Sequence, residues 1–98
     1  MLKKKYSNDN NTCNVTFILQ KEVNAKTVFL CGEFNEWDKT ATPMSYSEDN
    51  GFSITIKLNI GKSYRFRYCL NGTSWENDWQ ADSYCPNEYG SEDSIVEL

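Results

Sequence analysis

Two tryptophans stand where a small domain ordinarily places turn residues. Trp37 ends the run Gly32-Glu33-Phe34-Asn35-Glu36-Trp37-Asp38, and Trp75 follows the turn signal Asn71-Gly72 in Asn71-Gly72-Thr73-Ser74-Trp75-Glu76-Asn77-Asp78-Trp79. An indole in a polar loop either folds back onto the core or offers a flat apolar face to a partner. The pyranose ring of a sugar has a matching flat C–H face, rimmed by hydroxyls. Two such indoles with polar groups between them have the makings of a carbohydrate platform. Arg65 and Arg67 add to this. They alternate with Tyr64, Phe66, Tyr68 and Leu70 and so share the face turned away from the core. Arg67 stands nearer the Asn71-Gly72 turn, and its planar guanidinium suits hydroxyl oxygens. Trp79 is expected to be a loop plug, and Phe34 to be a core anchor for the Trp37 loop.

Other chemistries find less support. Glu33, Glu36, Asp38, Glu76, Asp78, Asp82 and Glu88 invite a glycosidase reading, but such enzymes hold two carboxylates roughly 5–9.5 Å apart across a cleft that a small sandwich hardly provides. The chain has no histidine, and Cys13, Cys31, Cys69 and Cys85 form no Cys-x-x-Cys pair, which argues against zinc. No EF-hand spacing is present. No cofactor is expected. Three of the thiols fall in strand-like runs and read as reduced apolar fillers, with two disulfides open to an exported form. The net charge of −4, from ten basic and fourteen acidic residues, disfavours nucleic acid. No window has the length of a membrane span, and residues 1–12 hold no secretory apolar segment, so a cytoplasmic location is expected.

The elements that must position these residues are strands. At 98 residues, 39% hydrophobic and 14% aromatic, the chain has room for one core. Residues 1–12 are polar and aperiodic and read as a mobile tail ahead of a domain over 13–98. Cys13, Val15, Phe17 and Leu19 alternate with Asn14, Thr16 and Ile18 in a half-buried strand. Residues 27–31 form a second apolar run, which Gly32 breaks, and Met44 and Tyr46 mark a short third one. Asp49-Asn50-Gly51 is a turn signal, followed by alternation of Phe52, Ile54, Ile56 and Leu58. The run 64–70 closes on Asn71-Gly72, expected as a type I′ hairpin. Residues 76–93 read as a long polar loop, and 94–98 as a last strand with Val96 and Leu98 inward. No stretch has helical periodicity. The pattern predicts an all-β, immunoglobulin-like antiparallel β-sandwich. A loop as long as 76–93 in so small a domain points to function.

The runs Val28–Trp37, Tyr64–Gly72, Trp75–Asp78 and Pro86–Val96 together resemble the family-48 carbohydrate-binding modules. These include the glycogen-binding domain of the AMP-activated kinase beta subunit and the early-set domains of isoamylase and glycogen branching enzyme. The resemblance covers roughly residues 13–98. It implies an early-set sandwich that binds α-1,4-glucans such as glycogen or starch without catalysis. It assigns stacking to Trp37 and Trp75, and a basic contact, usually Lys, to Arg67. It assigns an apolar contact, often Leu, to Tyr89, a hydroxyl contact to Ser91, and the place of a sugar-bonding Asn to Asp93. An ionised carboxylate only accepts hydrogen bonds, whereas an amide also donates. The partner expected from this likeness is an α-glucan, with a glycogen-metabolising enzyme or another protein beside it. A competing reading is an early-set module that docks a protein through its exposed aromatics without binding sugar.

Overall fold

The alternation of apolar and polar residues becomes two antiparallel sheets in the computed structural model, which describes residues 1–20, 23–49 and 51–98. The strands are β1 (Leu2–Tyr6), β2 (Thr12–Leu19), β3 (Val28–Gly32), β4 (Ser45–Ser47), β5 (Gly51–Asn59), β6 (Ser63–Leu70), β7 (Ser74–Glu76), β8 (Ser83–Pro86) and β9 (Glu92–Glu97). One sheet has the order β1-β2-β5-β4, and the other β3-β6-β9-β8, with β7 also paired to β6. The strands pack as an immunoglobulin-like sandwich. Among the described residues, no helix is long and apolar enough to cross a membrane.

The core lies between the sheets. Val15, Phe17 and Leu19 of β2, with Phe52 and Leu58 of β5, meet Val28 and Leu30 of β3, Tyr64, Phe66, Tyr68 and Leu70 of β6, and Val96 of β9. Each such side chain contributes about 1.5–3 kcal/mol by leaving water. Phe17 and Phe66 sit edge to face with centroids 4.9 Å apart, and Phe66 and Tyr68 repeat the arrangement at 5.7 Å. Edge-to-face contact sets the positive rim of one ring against the negative face of the next.

Residues 1–12, expected as a mobile tail, differ from that expectation. Leu2–Tyr6 pairs along β2 from Leu2↔Phe17 to Tyr6↔Cys13. The pairing supplies hydrogen-bond partners along one edge of β2, and Leu2 packs against the core. An edge strand tolerates the lysines because its far side faces solvent, where charge also discourages strand addition by another chain. Lys4 Nζ reaches Asp82 Oδ2 at 2.6 Å, tying β1 to the opposite sheet.

Two short strands, β7 and β8, arise within stretches expected as loop. The Asn71-Gly72 turn has positive φ at both residues, 54° and 75°, as a type I′ turn requires. Thr73 N–H closes it onto Leu70 C=O at 3.1 Å, but pairing resumes only at Leu70↔Ser74. One extra residue therefore separates the turn from β7. The Asp49-Asn50-Gly51 turn includes Asn50, which lies outside the described residues.

Candidate functional site

Strand register brings the site residues onto one face. Trp75 stands opposite Cys69 on β6, and Arg67 is two residues from Cys69, so the indole and the guanidinium leave the sheet on the same side. Arg65 pairs with Ile95, and Asp93 is two residues from Ile95, which places Asp93 on that side too. The inward residues of β6 are core, so this is the outer face of the second sheet.

Trp37 arrives from β3 by a different route. A single 3-10 turn over Glu33–Asn35 follows Gly32. Glu36 and Trp37 then both adopt left-handed backbone, with φ of 57° and 59°. Such a conformation costs a non-glycine residue about 1–2 kcal/mol, so neighbouring contacts must hold it. Trp37 N–H donates to Gly32 C=O at 2.9 Å. The Asn35 amide accepts from Gly32 N–H at 3.0 Å and donates to Leu30 C=O at 2.8 Å and to Thr42 Oγ1 at 3.0 Å. Gly32 is required by space: a Cβ there would lie 2.6 Å from Arg65 O and 2.7 Å from the Phe34 ring. Phe34 packs partly buried against the core, 5.8 Å from Phe17 between ring centroids.

A third segment completes the arrangement. Between β8 and β9, Asn87 Oδ1 accepts from Tyr89 N–H at 3.0 Å and Ser91 N–H at 3.2 Å. The loop raises Tyr89 into solvent, where it is 85% exposed. The three segments enclose an open groove of about 940 Å³, lined by both indoles, both arginines, Glu33, Asp93 and the Pro86–Tyr89 segment.

Within the groove the charges are unevenly engaged. Arg65 Nη1 lies 3.6 Å from Asp93 Oδ2, and Glu33 Oε1 accepts from Arg65 N–H at 2.7 Å. Among the described residues Arg67 forms no ion pair of this kind. Its Cζ is 5.9 Å from the Trp75 ring centroid, and its buried Nε–H meets no acceptor among the described residues. Lys39 Nζ lies 5.3 Å from the same centroid, so two cations attend one indole. A buried donor left without a partner costs about 1–3 kcal/mol.

Beneath the indoles, Cys31 Sγ lies 3.4 Å from Asp38 O, the carbonyl that follows Trp37. Burial, and then the neighbouring Cys69 and Asp38, push the Cys31 thiol up to about 11, so it is neutral near pH 7. Hydrogen bonds from Thr40 N–H and Oγ1 hold the Asp38 carboxyl below its usual range. Among the described residues, no group of three or more His, Cys, Asp or Glu side chains could hold a metal ion.

Of the residues singled out in the sequence, Trp37, Arg67, Trp75, Tyr89 and Asp93 line the groove. Ser91 does not line it. Trp79, expected as a plug, is instead 56% exposed and outside the groove, with Nε1 donating to Glu76 Oε1 at 3.3 Å. The buried member of its loop is Asp78, whose carboxylate accepts from Tyr68 O–H at 2.7 Å and whose N–H donates to Ser94 Oγ at 2.9 Å. Burial and Asp78 push the Tyr68 phenol well above its ordinary range. Sequence reasoning missed Asn87 and Lys39. Asn87 had a local signal, an Asn between Pro86 and Gly90 in a turn-rich stretch; for Lys39 we find none.

The family model described as carbohydrate-binding module 48 (isoamylase N-terminal domain) matches residues 8–85. That span contains Trp37, Arg67 and Trp75 and stops short of Tyr89, Ser91 and Asp93. No curated protein matches the chain.

Proposed function

Because this chain belongs to the family-48 carbohydrate-binding modules, whose members bind carbohydrate without catalysis, we propose that its outer-face groove holds an α-1,4-glucan chain such as glycogen or starch. The observation that carries the reading is Trp37 and Trp75 lining one groove, with Arg67 lining it on the same sheet face as Trp75. Indole faces cover the C–H faces of glucose units, while Arg67 donates to ring or hydroxyl oxygens. Tyr89 packs along the chain from the far loop, and Asp93 lies at the floor. Ser91, exposed on the same loop, offers a hydroxyl at its edge. The groove is open and its contacts few, so affinity should fall between about micromolar and millimolar, or roughly −8 to −4 kcal/mol.

Co-sedimentation with glycogen tests this. The folded domain should pellet with glycogen, and Trp37→Ala or Trp75→Ala should leave it in the supernatant. Retention unchanged in both variants would overturn the assignment of the indoles. No pelleting of the wild-type protein, together with a stable complex with another protein that both substitutions abolish, would favour the docking reading instead.

A further inference from the structure

Asp93 presents a puzzle for any reading in which it serves a ligand. Its side chain is only 9% exposed. Its oxygens already face protein: Oδ1 accepts from Asn87 Nδ2 at 3.1 Å, and Oδ2 lies 3.6 Å from Arg65 Nη1. An ionised carboxylate has no proton to donate, so its whole capacity lies in these acceptor oxygens. The amide it engages is occupied in turn. Asn87 Oδ1 takes the N–H groups of Tyr89 and Ser91, and Asn87 N–H donates to Ser91 C=O at 2.9 Å. Gly90 completes the reversal at φ 79°.

These bonds have a direction. The Asn87 side chain must hold one orientation for its Oδ1 to collect both loop amides. An amide flipped by half a turn would set its NH₂ against those two N–H groups. Asp93 fixes the orientation, because an acceptor-only carboxylate admits only the Nδ2 side. Arg65 anchors Asp93 to the centre of the sheet, where Arg65 N–H is itself bound by Glu33 of the Trp37 loop. A connected path therefore runs from the Trp37 loop through Arg65 and Asp93 to Asn87 and the Tyr89 loop. Tyr89, at 85% exposure, has little packing of its own to hold it.

We propose that Asp93 and Asn87 are positioning residues that lock the Tyr89 loop over the groove before ligand arrives, and that Asp93 acts on the ligand through Tyr89 rather than by touching it. Its binding arm rests on the glucan reading above; its structural arm does not. Preorganisation of this kind raises affinity by removing the cost of ordering a loop on binding.

A double-mutant cycle with maltoheptaose, read beside backbone order parameters, tests this. Asp93→Ala should weaken maltoheptaose binding about fivefold, the net worth of one ordinary hydrogen bond. In a Tyr89→Ala background the same substitution should change affinity less than about twofold, since the residue it positions is gone. An undiminished fivefold loss there would mean that Asp93 touches the sugar, overturning the proposal. In sugar-free protein, amide order parameters at 88–90 should fall from about 0.85 to below about 0.6 in both Asp93→Ala and Asn87→Ala. Asp93→Asn, which keeps an acceptor for Asn87 but adds a donor that also admits the flipped amide, should restore them only in part. A loop as ordered in Asp93→Ala as in the wild type would overturn the proposal whether or not maltoheptaose binds. Failure of the wild-type protein to bind maltoheptaose would strike the glucan reading alone.

Discussion

The two sheets obey the same alternation and bury their inner faces alike, yet their outer faces differ in kind. On the first sheet, the outward positions of β2 and β5 pair as Asn14↔Lys57, Thr16↔Thr55 and Ile18↔Ser53. Three of these six residues carry hydroxyls, and Thr16 and Thr55 satisfy one another at 2.7 Å. On the second sheet, the outward positions carry Arg65, Arg67 and Asp93, and three loop or edge segments add Trp37, Trp75 and Tyr89. The first face is a strand surface complete in itself. The second stays open: Trp75 and Tyr89 are exposed, and Arg67 forms no ion pair among the described residues. Strand periodicity thus specifies the sandwich on both sides, while the groove depends on how the segments at one face are held.

The strongest way to break this contrast is at the indoles. Trp37→Ala with Trp75→Ala should abolish measurable maltoheptaose binding, a loss of about a hundredfold or more if each large aromatic contact is worth about 1.5 kcal/mol. Thr16→Ala with Thr55→Ala on the opposite face should leave affinity unchanged; calorimetric titration of both pairs decides the point. Next comes the segment that holds Trp37. Gly32→Ala sets a Cβ 2.6 Å from a backbone oxygen, which cannot move as a side-chain tip can. It should cost about 1–3 kcal/mol of stability by denaturant unfolding and also weaken binding. Arg67→Ala should reduce affinity by about tenfold, in the range of one hydrogen bond to a charged group. Lys57→Ala, a cation on the other face, should have no effect.

A last expected effect, on stability at alkaline pH and not on binding at neutral pH, concerns Cys31. Its folded value of about 11 lies above the ordinary 9.0, so the folded state holds a proton that the unfolded state releases between those limits. Stability present below pH 9 should therefore decline as pH rises toward 11. Cys31→Ala should flatten that decline without removing it, since Tyr68 is displaced in the same direction. Unfolding curves across pH 8–11 provide the check.

Much of the sandwich was legible in the sequence because burial on one face imposes a period of two. β2, β5 and β6 carry that period over eight or nine residues, and their inward residues are those expected. β1 was not legible, because Lys3, Lys4 and Lys5 conceal a strand whose stability comes from its neighbour's backbone. β7 and β8 span only three and four residues, too short for any period to emerge. The groove was legible in part. Trp37 and Trp75 announced themselves as large apolar groups in polar stretches. Trp79 sent the same signal and lies elsewhere, because residue type alone does not fix which way a loop turns. Asn87 works through hydrogen bonds inside its own loop, and an Asn between Pro86 and Gly90 signals a turn without marking that its side chain will collect two loop amides.

That difference between the indoles allows a direct test in one spectrum. The three indole N–H resonances can be followed while maltoheptaose is added to the folded domain. Trp37 and Trp75 should shift together along one saturation curve while Trp79 stays in place. Movement of Trp79 alone, or of none of the three at millimolar sugar, would contradict this expectation.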